Sequence, residues 1–185
     1  MNARLFILLC SCCLCLLAPM RVSADADAAA LSQALSNMKV TLPKARLPAP
    51  NFTLPDLKLG TVRLSDYRGK LVLLNFWASF CAPCRREMPS LENLWQAYAD
   101  KGLVVLALSA DRDNLKQVEN FVSEGGYSFP ILLDTAGEVR RNYEIRALPT
   151  SYLIGRDGKF IGRLIGERSW DSRQGKKMME LLLSH

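Results

Sequence analysis

Histidine is nearly missing from this chain: of 185 residues the single histidine is His185, the last. A structural or catalytic zinc draws three or four ligands, mostly from Cys and His. Once an N-terminal segment holding Cys10, Cys12, Cys13 and Cys15 is set aside as an export signal, one terminal histidine and the single pair Cys81 and Cys84 cannot supply them, so no metal is expected. Runs of basic charge are missing too. No stretch of Lys and Arg exceeds two residues, although 24 basic residues outnumber 18 acidic ones and leave a net charge of +6. Without a basic tract, or aromatics interleaved with cations, there is no footprint for nucleic acid. The modest positive charge instead suits solubility and acidic partners. Internal repeats and a second domain are also lacking. The N-terminal apolar run, Leu5 to Leu17, is short: about 13 residues, where a membrane-spanning helix needs about 20.

That run has the form of an export signal. Arg4 precedes it, and Val22-Ser23-Ala24 ends it with small residues, so cleavage is expected after Ala24 and residues 1–24 read as a signal peptide. Two alternatives stand beside this one. Leu9-Cys10-Ser11-Cys12 loosely resembles a lipidation motif, which would make a membrane-anchored lipoprotein, and the run could also stay as an uncleaved anchor. Cleavage changes the cysteine inventory. Cys10, Cys12, Cys13 and Cys15 leave, and only Cys81 and Cys84 remain. Arg4 and Arg21 leave as well, so 22 basic residues face 18 acidic ones and the charge becomes +4. A periplasmic or otherwise exported protein lives where thiols oxidise, and each remaining sulfur has one obvious partner, the other.

Residues 25–41 are rich in Ala and Ser and read as a flexible or short helical lead-in to a domain over 42–185. "LPKARLPAP" carries three prolines and reads as a linker or extended segment. "NFTLPDLKLGTVRLSDYRGK" suggests two short strands around Gly60. "LVLLNFWA" and "GLVVLALSAD" are nearly continuous apolar runs, the mark of strands covered on both faces. Between them, Met88, Leu91, Leu94, Trp95 and Tyr98 lie on one helical face, with Pro89 expected to kink the helix. A helix over Leu115 to Ser123, a strand at "FPILLD", a short helix through Val139 to Tyr143, a hairpin turning at Arg156-Asp157-Gly158 and a closing helix from Ser172 to Leu183 follow. Strand–helix alternation gives parallel strands with right-handed crossovers, and the hairpin adds antiparallel ones. The sheet should be mixed.

"NFWASFCAPCRREMP" holds the chemistry. A thiol that exchanges with disulfides must ionise, and an ordinary cysteine with a pKa near 8.5 is mostly protonated at neutral pH. Cys81 follows a buried strand and starts a helix, where unpaired backbone N–H groups and the positive end of the dipole favour a thiolate. Pro83 fits the first turn, where its missing N–H costs nothing. Cys84, three residues on, lies on the same helix face and can close a disulfide while being less exposed. Cys81 would then attack and Cys84 would resolve. A purely structural staple is the plainer alternative, although so short a loop gains little closure entropy.

With "ALPTSYLI" about 65 residues further on, this stretch resembles the thioredoxin superfamily, and "LPAPNFTLPDL" with "LSDYRGK" resembles its exported TlpA/ResA-like branch. The resemblance spans roughly Leu42 to His185. It implies an α/β, thioredoxin-like fold: a central mixed sheet flanked by helices, an N-terminal strand pair, and an extra strand–helix insertion after the CxxC helix. It implies protein-disulfide oxidoreductase activity with Cys81 and Cys84 as redox-active pair, no cofactor, disulfide-bonded protein substrates, a membrane thiol transporter as electron donor, and a monomer. Pro149 should be a cis proline beside the sulfurs, with Leu148 offering its backbone to a substrate strand and Phe80 rimming the site. Many thioredoxins place an acid in the buried strand where this chain has Asn75. The proton of Cys84 then needs another acceptor, and Glu87 is the candidate; alternatively, Glu87 is a solvated first-turn acid favouring the dipole. Arg85 and Arg86 read as solvated, or as helpers of the thiolate. A peroxide-reducing relative would carry Thr at position 78, which is Ala78. Dedicated cytochrome c maturation relatives often carry Glu at position 150, which is Thr150, so that role is open but not indicated. A reductant is expected rather than an oxidant. The rivals are a thioredoxin-fold binding module without turnover and a stapled structural protein.

Overall fold

The structure, a computed structural model, describes residues 20–58 and 60–184, with the backbone alone for 20–24. The signal segment, its four cysteines and His185 lie outside the described residues, apart from the helical backbone of 20–24. No helix among the described residues is long and apolar enough to cross a membrane.

The chain runs α1 (Met20–Asn37), β1 (Thr53–Asp56), β2 (Gly60–Arg63), β3 (Leu71–Trp77), α2 (Ala82–Tyr98), β4 (Leu103–Ser109), α3 (Leu115–Gly125), β5 (Ile131–Leu133), α4 (Glu138–Asn142), β6 (Thr150–Ile154), β7 (Phe160–Ile165) and α5 (Arg173–Ser184). One seven-stranded sheet results, in the order β2-β1-β5-β4-β3-β6-β7. β3, β4 and β5 are parallel, as alternation with helices requires, while the N-terminal pair and the β6–β7 hairpin add antiparallel edges. The mixed α/β architecture is the one expected, with the strand pair and the insertion after α2 both present.

β3 and β4 are buried along their whole length because both faces of the sheet are covered. Alternation along β3 divides the core. Leu71, Leu73 and Trp77 pack with Cys84, Met88, Leu91 and Leu94 of α2, Val118 and Val122 of α3, and Met178, Met179 and Leu182 of α5. Val72, Leu74 and Phe76 face the other layer, where Phe52, Tyr143, Tyr152 and Phe160 form a chain of ring contacts. Asn75 belongs by this alternation to the α2 side, among apolar neighbours. Pro89 is exposed and α2 runs on through it from Ala82 to Tyr98.

The lead-in is not a tether. α1 extends over 18 residues, and Ala34, Leu35 and Met38 enter the same core cluster as Cys84. Lys39, at φ +57°, turns the chain out of the helix. Thr41 then pairs with Arg163 of β7, N–H to carbonyl in both directions at 2.8 and 2.9 Å. Gly162 makes that approach feasible, since a Cβ there would lie 2.3 Å from Val40 Cγ1. Pro48 bridges Lys159, so the proline-rich segment bends at Lys44 and Ala45 and returns to the start of β7.

Candidate functional site

The chain leaves β3 at Trp77 and enters α2 five residues later, at Ala82. Cys81 is the N-cap of α2, with extended φ/ψ of −86° and 99°, and Pro83 sits in the first turn. The Cys84 N–H points at Cys81 Sγ at 3.3 Å. This is the arrangement in which a helix N-terminus steadies a developing thiolate. The two sulfurs are bonded, with an S–S distance of 2.07 Å and Cα atoms 5.3 Å apart. Cys81 keeps partial exposure; Cys84 has none. The asymmetry follows from the helix: one turn inward, Cys84 faces β3 rather than solvent.

The turn before Cys81 is held from below. Buried Asp111, just past β4, accepts from Ser79 N–H at 2.9 Å, Ser79 Oγ at 2.6 Å and Ser109 Oγ at 2.7 Å. Cys81 N–H donates to the Ala78 carbonyl at 3.1 Å. Phe80 stands out into solvent, 71% exposed, on the rim of a cavity of about 330 Å³ that Ala110 to Asn114 and Arg140 complete. Leu148–Pro149 is cis, as the resemblance implied, and the Pro149 carbonyl accepts from Gly166 N–H at 2.8 Å.

Glu87 is not a solvated acid. It is 2% exposed, one helical turn beyond Cys84. Asn75 Nδ2 donates to its Oε1 at 2.7 Å, while its Oε2 accepts from the backbone N–H of Arg168 at 3.0 Å and the indole N–H of Trp170 at 3.4 Å. Burial outweighs those three donors and, with nearby Glu167, pushes its pKa up to about 7. A carboxyl that titrates near neutrality can both take and return a proton there. Asn75 Nδ2 also donates to Ser151 Oγ at 2.9 Å, whereas Asn75 Oδ1 is buried with no partner.

The arginines are engaged elsewhere. Arg86 forms a forked ion pair with Glu167, closest at 2.6 Å, and the Arg85 guanidinium lies 4.8 Å over the Phe121 ring. Ser79, Asp111, Ser151, Arg168 and Trp170 were not anticipated from the sequence. Asp111 is 32 residues from Ser79 and Arg168 is 81 from Glu87, and nothing in either stretch marks the pairing.

Comparison with known proteins agrees with this geometry. The model of the AhpC/TSA family matches residues 45–161. The thiol-disulfide oxidoreductase ResA of Bacillus thuringiensis (strain Al Hakam) is 40% identical over 127 residues, covering 69% of this chain and 73% of that protein. A Chlorobium tepidum protein assigned as thiol:disulfide interchange protein DsbE superposes with a TM-score of 0.70 at 34% identity, over 77% of this chain and 99% of that one. The thioredoxin domain of a Bacteroides vulgatus thiol-disulfide oxidoreductase gives 0.65 at 26% identity, over 76% and 99%. With a buried thiol behind a capping thiol, and relatives of that activity along most of its length, this chain belongs to the AhpC/TSA family and is a thioredoxin-like protein-disulfide oxidoreductase.

Proposed function

We propose that this protein works outside the cytoplasm as a reductant of protein disulfides, with Cys81 as nucleophile, Cys84 as resolving thiol and Glu87 as the proton acceptor for Cys84. The observation that carries the reading is the order of the three groups along α2: a partly exposed cap thiol, a fully buried thiol one turn in, and a buried carboxyl with a pKa near 7 one turn further.

In the reduced state Cys81 is the thiolate, and it attacks one sulfur of a substrate disulfide. The substrate S–S bond breaks, one substrate sulfur leaves as a thiolate, and a mixed disulfide joins Cys81 to the substrate. Cys84 gives its proton to Glu87 and, as a thiolate, attacks Cys81 Sγ. The mixed disulfide breaks, the second substrate sulfur leaves as a thiolate, and the Cys81–Cys84 disulfide described above remains. Two electrons have passed to the substrate. A membrane thiol transporter restores them by the reverse exchange. Leu148 and cis-Pro149 offer backbone to an extended substrate segment beside the sulfurs, and Phe80 makes an apolar contact at the rim. Asn75 explains why the acid sits on α2. The strand position holds an amide, and the carboxyl instead comes from the helix, within reach of that amide.

The reduction potential of the Cys81–Cys84 couple tests the direction. Equilibration against glutathione or dithiothreitol should give roughly −250 mV or below; a value near −150 mV or higher reverses the assignment to oxidant.

A further inference from the structure

Glu87 is gripped by a segment that belongs neither to the sheet nor to α2. Residues 166–170, the first part of the link from β7 to α5, cross over the carboxyl and supply the Arg168 backbone N–H and the Trp170 indole. This strap is itself fastened. Trp170 is fully buried, and its own N–H donates to Ser90 Oγ at 3.1 Å. Gly175 brings α5 against it, since a Cβ there would lie 2.1 Å from the Trp170 carbonyl oxygen.

The other fastening is a side chain. Among the described residues the Arg168 guanidinium makes no ion pair. Its Nη1 donates to the carbonyls of Gly166 at 3.2 Å and Glu167 at 2.8 Å, and its Nε donates to the carbonyl of Met38 at 3.1 Å. Met38 closes the last turn of α1, and its side chain is buried with Ala34 and Leu35. One arginine thus ties the strap that holds Glu87 to the end of the N-terminal helix.

We propose that Arg168 and the docked end of α1 are positioning elements of the redox centre: by clamping residues 166–170 they hold the Glu87 carboxyl dry and oriented behind Cys84. This rests on the reading of Glu87 as proton acceptor, and it makes the segment before residue 42 a working part of the site. A guanidinium suits the task because its planar fork reaches carbonyls on both sides at once, which an ammonium on one stem cannot. Among the described residues, the charged groups around Glu87 are Arg168 itself and Glu167, which is paired with Arg86, while Cys84 one turn back on α2 is bonded to Cys81.

Loosening the clamp lets water reach the carboxyl. Water replaces the donors lost from the strap and removes burial, which is the largest cause of the raised pKa, so the midpoint must fall. The test is titration of the Glu87 carboxyl carbon by NMR in the full, oxidised chain, with Glu87→Gln to assign the signal. The wild-type midpoint should lie near 7. In Arg168→Ala it should fall by about one pH unit or more, and in Arg168→Lys, which can keep a single donor, by less. Leu35→Ala, which loosens α1 at a distance, should also lower it. Arg168→Ala with Leu35→Ala should fall no further than Arg168→Ala alone, because both act through one link. An unmoved or raised midpoint in Arg168→Ala and Arg168→Lys overturns the clamp, and additive shifts in the double variant overturn the role of α1. Disulfide-reductase turnover of Glu87→Gln separates the two readings: unchanged turnover removes Glu87 as acceptor, while the midpoints still decide the positioning.

Discussion

Replacing Glu87 with glutamine separates one carboxyl proton from the rest of the redox centre, and its effect on stability can be worked from the structure. In the unfolded chain this glutamate titrates near its ordinary value; folded, it titrates near 7. Between those values the native state holds a proton that the unfolded state has lost. The sign follows: a carboxyl raised on folding contributes stability that is fully present below about 4.5, drains away as pH rises, and is gone once pH passes about 7. The loss amounts to about 3 kcal/mol, at about 1.4 kcal/mol per pH unit. Glu87→Gln abolishes this loss. The new side chain is tolerable because the site is adaptable. Its Oε1 can accept from the strap, and its Nε2 then faces Asn75, whose buried Oδ1 has no partner. A flip of the Asn75 amide lets that oxygen accept from the new amide and from the Ser151 hydroxyl. Urea unfolding of the oxidised protein at several pH values between 5 and 8 measures the effect, with no thiol titrating. The wild type should lose stability across this range while Glu87→Gln stays flatter, and the gap between them should widen by about 3 kcal/mol in favour of the variant. Parallel curves would refute the raised pKa and with it the fitness of Glu87 as a proton acceptor at neutral pH.

Turnover should move the opposite way: Glu87→Gln should slow disulfide reduction on the order of 10²-fold, the usual worth of a positioned general base, and flatten the rise of rate with pH through about 7. In the reduced protein Cys81 should be alkylated first, since Cys84 is fully buried; faster labelling of Cys84 would reverse the two roles. Cys84→Ser should trap mixed disulfides through Cys81 from a periplasmic extract, and equal trapping by Cys81→Ser would show that the thiols are not differentiated. Asp111→Ala should cost about 2 kcal/mol, because it strips the Ser79 N–H and two hydroxyls of a buried acceptor; an unchanged urea midpoint would show that the turn before Cys81 needs no such support.

Much of the architecture was legible because it rests on local rules. The doubly covered strands β3 and β4 announce themselves as unbroken apolar runs, α2 by the face it buries, and the β6–β7 hairpin by its glycine turn. Cys81 as cap and Cys84 as the hidden thiol follow from helix geometry alone. The reading of α1 was less sharp. Its Ala-rich composition permits either a helix or a loose lead-in, and only the surface offered by α5 decides that Ala34, Leu35 and Met38 are buried. Pro149 shows the limit of residue-level reading: its cis bond came from the resemblance, since X–Pro bonds in general favour trans.

Sequence by itself determined that this chain carries a dithiol at a strand–helix junction, because spacing along one helix places those sulfurs whatever else the chain does. Tertiary structure decided what Glu87 is. Three residues past Cys84 it could equally have faced water, and its sequence neighbourhood is the same in both cases. Its pKa is set by what lies over it, and what lies over it comes from β3 and from the 166–170 strap, 12 and about 80 residues away. Desolvation is a property of the assembled surroundings rather than of any residue, which is why the sequence names Glu87 as a candidate acceptor but leaves it open between a solvated and a buried acid.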